Sequence, residues 1–189
     1  FAIAGGIFIL QKITSPQAKS EVQKQQILTS NIQSITRYIN SCLESVAKEG
    51  VIKLGLQGGY INFPPNIFIT TSYNTSYLYF EGQNIAPTLD KIEEELAKFV
   101  VDNIEECTDF SIFKDVIIQP QQKNAKVKVT RDKVQFSLEW PLIVSAEDIE
   151  GQIKDFNANL NLEFMDVYEA VSNIVTATEN HPDIVDNLL

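Results

Sequence analysis

The sequence predicts an α+β protein: a long N-terminal helix followed by an antiparallel β-sheet head with packed helices. Three observations carry this. Apolar residues recur at helical three-and-four spacing up to Gly50. They then alternate with polar residues at period two over 127–140 and 156–164. Between and after those runs, at 92–104 and 167–174, helical spacing returns.

The first ten residues, Phe1–Leu10 (FAIAGGIFIL), are wholly apolar. As a helix they would rise only about 15 Å, half of a hydrocarbon core, so alone they do not span a membrane. Three explanations fit: the C-terminal half of a membrane anchor, a processed terminus packed against other copies, or the remains of a signal segment. Each marks Phe1, Ile3, Ile7, Phe8, Ile9 and Leu10 as anchor or assembly residues.

From Gln17 to Glu49 no proline occurs, and Ile32, Ile35, Ile39, Cys42 and Val46 form one stripe. Val22, Ile27 and Leu28 extend it less cleanly. Pro16 either sits in the first turn or kinks the helix, and Gly50 is expected to stop it. The lower half of the helix should lie against the head, whereas the upper half needs neighbours. Residues 1–50 are thus expected to form an apolar segment and stalk, and residues 51–189 an α+β head outside the cytoplasm.

After Gly50 the period is expected to change. Gly58-Gly59 marks a tight turn, Tyr60–Phe63 an extended piece, and 67–70 and 77–80 two strands, with a turn at Glu81–Asn84. A second helix starts at Thr88 or Asp90. Its Ile92, Leu96, Phe99, Val100, Asn103 and Ile104 share a face, and Glu93, Glu94 and Glu95 suit its dipole. Val127 and Val129, then Val134, Phe136, Leu138 and Trp140, form a hairpin about Arg131-Asp132, with one apolar face and one charged. Pro141 should end or edge that run. Phe156, Ala158, Leu160, Leu162 and Phe164 predict a further strand, and Val167, Val171 and Ile174 a helix broken at His181-Pro182. Residues Ile184–Leu189 fit the start of another helix.

The net charge of −10 is uneven, at +3 over residues 1–60 and −13 over 61–189. An acidic head argues against nucleic acid, whose phosphates need a basic face. The charge serves solubility, or it draws stalk to head between copies. Cys42 and Cys107 are the only cysteines. Without a Cys-x-x-Cys pair or a His/Cys cluster they do not suggest zinc. In an exported chain they suggest a disulfide between helices, and the alternative is two buried thiols. Asn74-Thr75-Ser76 is a glycosylation sequon on Asn74.

No catalytic set stands out. His181 is the only histidine and sits at a helix break, which suits a surface or capping role. Gly58-Gly59 lacks the Lys-Ser/Thr of a phosphate loop, and Glu147, Asp148 and Glu150 lack calcium-loop spacing. No cofactor and no metal is expected, and the chain is not read as an enzyme. Seven of eighteen aromatics fall within residues 60–80: Tyr60, Phe63, Phe68, Tyr73, Tyr77, Tyr79 and Phe80. They form either a core layer with a loop or a Tyr-rich interface, in which Tyr60, Tyr73, Tyr77 and Tyr79 would contact a partner. Alternation places Tyr77 and Tyr79 on a face opposite Leu78 and Phe80.

Cys42-Leu43, Lys48-Glu49-Gly50, Leu56-Gln57-Gly58-Gly59-Tyr60, Cys107 and Trp140-Pro141-Leu142 together resemble a family of uncharacterised envelope proteins of small-genome archaea. That resemblance implies an N-terminal membrane anchor and a surface location, and no activity. The plan is also similar to that of type IV pilins, whose mature apolar helix often starts at Phe and carries an antiparallel sheet on its C-terminal half. Gly5 stands near where pilins usually carry Glu, and the apolar run is about half as long.

Two readings result. One is a structural cell-surface protein, a filament or envelope subunit that homo-oligomerises through residues 1–10 and is membrane-anchored at least before assembly. The other is a monomeric anchored ectodomain that binds an envelope protein or host surface through residues 60–80.

Overall fold

The computed structural model describes residues 16–64, 69–70 and 74–181, with side chains from Glu21 onward and without those of residues 69–70. Phe1, Ile3, Ile7, Phe8, Ile9, Leu10, Phe68, Tyr73 and Ile184–Leu189 lie outside the described residues. The fold is α+β, with a long first helix, antiparallel sheets and two further helices.

Helix α1 (Pro16–Leu56) is 41 residues long. Its buried side chains, Leu28, Ile35, Ile39, Cys42, Leu43, Val46, Ala47 and Leu54, keep the spacing of one stripe. Burial of each large aliphatic is worth roughly 1.5–3 kcal/mol, so packing and not propensity holds so polar a helix together. Gly50 does not stop it, and residues 51–56, expected to leave helical spacing, form its last turns. A Cβ at Gly50 would lie 2.8 Å from Phe99 Cδ1. The glycine is therefore there for the close approach of a second helix. Termination falls to Gly58 and Gly59, both with positive φ, where the Gly59 N–H donates to Leu54 O at 2.8 Å.

Tyr60–Phe63 bends and belongs to no strand. β1 (Ile69–Thr70) pairs with β2 (Asn74–Thr75), and β3 (Tyr79–Phe80) pairs with β4 (Gln83–Asn84). Glu81 and Gly82 both have positive φ between β3 and β4, as a two-residue hairpin of the right twist demands. α2 (Leu89–Cys107) starts where the sequence places it, with the Thr88 side chain accepting from the Lys91 N–H. Glu93 and Glu95 do more than serve the helix dipole. Glu93 accepts from the Val129 N–H at 2.9 Å, and buried Glu95 accepts from the backbone and side chain of Asn62.

The main sheet contains β5 (Ile117–Pro120), β6 (Asn124–Val129), β7 (Val134–Ala146) and β8 (Ile149–Leu160). β7 is central: β6 and β5 pair successively along one side of it, and β8 pairs along the other. Pro141 neither ends nor edges β7. It sits where the β7–β8 register shifts between Glu139 and Leu142, a bulge in which its missing N–H costs no ladder bond. The expected strand 156–164 begins instead at Ile149 and ends at Leu160. Phe164 opens α3 (Phe164–Asn180), and Leu162 is exposed between them. The N-terminal half of β8 was hidden because its inward positions Gly151 and Ile153 fall out of step with Phe156, Ala158 and Leu160 across the bulge.

α1 lies over β7 and β8, and α2 lies over β6. The inward face of β7, from Val134 through Phe136, Leu138, Trp140, Leu142 and Val144 to Ala146, is buried beneath them. The opposite face is polar, with Ser137 bonded to Asn157 and Gln135 to Asn159. One backbone N–H on each outer edge is taken by a helical side chain: Asn40 Oδ1 accepts from the Asn157 N–H on β8, and Glu93 does the same for Val129 on β6.

Candidate functional site

Among the described residues no group of His, Cys, Asp or Glu could hold a metal ion, and no helix is long and apolar enough to cross a membrane. His181 caps the C-terminus of α3, its N–H donating to Ala177 O, and it is exposed.

Cys42 and Cys107 form a disulfide, with Cα atoms 5.6 Å apart across 65 residues of sequence. It ties the middle of α1 to the last residue of α2. Tyr38 reinforces the joint: its hydroxyl donates to Cys107 O at 3.0 Å and accepts from the Asp109 N–H at 2.9 Å. The Tyr38 ring also meets Phe113 edge-on.

The top of the head reaches α1 at Lys24, whose ammonium binds Asp148 at 2.6 Å and Glu147 at 3.1 Å. These acids are the two turn residues of the β7–β8 hairpin, with Glu147 at positive φ. Hydrogen bonding to Lys24 holds the Asp148 carboxyl below its ordinary range, and hydrogen bonding to Asp148 and then Glu147 raises the lysine. Just below, a Cβ at Gly151 would lie 2.8 Å from Ile32 Cδ1, so glycine lets β8 close on α1. Val22 and Ile27, which extend the stripe upward, are exposed.

The aromatic segment divides. Tyr60 is half-buried, its hydroxyl donating to Ile85 O at 2.9 Å, and burial pushes its pKa up. Tyr77 and Tyr79 do not share a face opposite Leu78 and Phe80. The strand covers only residues 79–80, and Tyr77, 36 % exposed, packs its ring on Phe80 at 5.2 Å. Asn74 is exposed on β2, and the third sequon residue, Ser76, is buried with its N–H donating to Gln57 O.

A groove that the sequence did not single out lies at the far end of α1. Leu54, Gly55, Gly58 and Gly59 form one wall, Leu78, Ala86 and Pro87 of the β3–β4 region form the floor, and Phe164, Val167, Tyr168 and Val171 of α3 form the other wall. It encloses about 280 Å³ and has no charged residue in its lining. Among the described residues nothing lies within 4 Å of where a Gly55 Cβ would stand. On α3, Phe164, Tyr168, Val171, Val175 and Thr178 turn toward the body, while Val167 and Ile174 stand 65 % and 66 % exposed. Val167 and Ile174 therefore have little cover among the described residues. The sequence signal was present in the 167/171/174 spacing, but spacing does not say which part of an apolar arc finds a partner.

Compared with known protein families, curated proteins and solved structures, the chain matches none.

Proposed function

We propose that this protein is a structural cell-surface subunit that assembles with copies of itself, as a filament or envelope layer, through the apolar segment Phe1–Leu10. One observation carries the reading: α1 is laid along a one-faced sheet, and among the described residues its highest ties to the body are those of Lys24, with Pro16 about 12 Å further along the helix axis. The apolar segment precedes that end of the helix in the sequence. The layout is that of a pilin-like subunit, an argument from architecture alone. A disulfide between helices suits a protein that works outside the cell. Membrane anchoring by the same segment would precede assembly.

The test is Ile7→Asp in the full chain, followed by electron microscopy and sedimentation. A charge in that segment should abolish large assemblies while the disulfide and the melting transition of the head stay unchanged. Normal assemblies from this variant would refute the reading. The second reading, an anchored ectodomain binding through residues 60–80, draws on the exposed ring of Tyr77. It expects a monodisperse small particle whose partner binding falls in Tyr77→Ala.

A further inference from the structure

We infer that Asn74 carries an N-linked sugar attached before the chain folds, an inference that rests on the reading above for the protein's place outside the cell. Asn74-Thr75-Ser76 is the only Asn-X-Ser/Thr triplet in the chain. Such triplets also arise by chance, so what the fold does with each of the three residues decides.

The fold pulls the triplet apart. Asn74 is exposed at the start of β2, opposite Thr70 of β1. The two residues after it are laced to the C-terminal end of α1. The Thr75 hydroxyl donates to Leu56 O at 3.0 Å, and the Ser76 N–H donates to Gln57 O at 3.1 Å. Ser76 is only 5 % exposed, and its hydroxyl donates to Tyr77 O at 3.1 Å. Gly58 permits this approach, since a Cβ there would stand 2.9 Å from Ser76 O.

The transfer needs both ends of the triplet. The Asn74 side-chain nitrogen forms a bond to C1 of the sugar. The C1–O bond to the carrier, a phosphorylated polyprenol, breaks, and its electron pair leaves with the phosphate. One amide proton passes to a base of the transferase. The hydroxyl two positions on is what the transferase reads, which is why the motif demands Ser or Thr there. In the folded chain the acceptor is open and the hydroxyl is buried. A transferase therefore meets a complete triplet only while residues 74–76 are still free of residues 56–58. Once the fold closes, a sugar on exposed Asn74 stays in solvent and costs the core nothing.

The first measurement is glycopeptide mass spectrometry on full-length protein from the surface fraction of the cells that make it. Asn74 should carry added sugar mass. Asn74→Gln and Ser76→Ala should each lose that mass, and Ser76→Thr should keep it. In the second, bare full-length protein is given to membranes that hold a transferase and its lipid-linked sugar, once folded and once reduced and unfolded, beside a short peptide with the same triplet. The peptide and the unfolded chain should be modified, and the folded chain should not. Bare Asn74 on surface protein overturns the site and leaves the location standing. Protein found only inside the cell takes location and site down together. An unfolded chain that stays bare while the peptide is modified also overturns the site. Equal modification of folded and unfolded chains overturns the claim that the sugar comes before the fold.

Discussion

Removing the disulfide is the perturbation whose size the structure fixes best. Cys42 and Cys107 close a loop of 65 residues. In the chain-entropy account, opening a loop of that length frees the unfolded chain by about 4 kcal/mol. The native state loses little in exchange, because the Cα atoms sit at an ordinary disulfide separation of 5.6 Å and Tyr38 still bridges Cys107 and Asp109. For a chain of this size each kcal/mol moves the melting midpoint by about 2–4 °C. The double variant Cys42→Ala/Cys107→Ala should therefore melt about 8–16 °C lower, with an unchanged far-ultraviolet spectrum at 20 °C. Reduced and alkylated parent protein, melted in parallel, should fall by a similar amount. A shift below about 2 °C would mean that the bond does not restrain the unfolded chain, and the loop-closure reasoning would fail.

Three further outcomes follow from particular contacts. Gly50→Val should cost about 1–3 kcal/mol in chemical denaturation, since a Cβ there meets Phe99 at 2.8 Å; a neutral result would show that α1 and α2 can move apart freely. Glu95→Ala, which strands the Asn62 N–H, should cost about 1.5–3 kcal/mol, and Glu95→Gln, which keeps an acceptor, should cost less. Equal losses for the two would sink the hydrogen-bond account. The Lys24–Asp148 tie should respond to pH in a stated direction. Because the Asp148 pKa is depressed, its contribution is complete above the ordinary carboxylate value of 3.8 and disappears as pH falls through the lower folded value. Lys24 is raised, so its contribution is complete below 10.5 and is lost only above that. The protection of the 147–148 amides, which is their exchange relative to the intrinsic rate at each pH, should stay flat across the neutral range and fall in acid; a fall near pH 6 would point to a different group.

Much of the fold was legible along the chain. The start of α2 at Leu89 followed from Thr88 and the periodic residues after it, and the 129–134 hairpin followed from two alternating runs about Arg131-Asp132. The boundaries that slipped were those set by a neighbour. Gly50 looks like a stop in isolation, but it sits inside α1 because Phe99 needs its space. Pro141 looks like the end of a strand until a bulge absorbs its missing N–H.

By itself, the sequence determined which stretches become helix or strand, since the period of apolar residues acts over a few neighbours and needs no knowledge of the rest. It also determined the charge split and the apolar character of residues 1–10. Tertiary structure decided where those elements stop, that the two cysteines become a staple, and that Val167 and Ile174 of α3 stay exposed. Those outcomes depend on shape complementarity between segments far apart in the chain, and spacing along one segment carries no information about the surface it will meet.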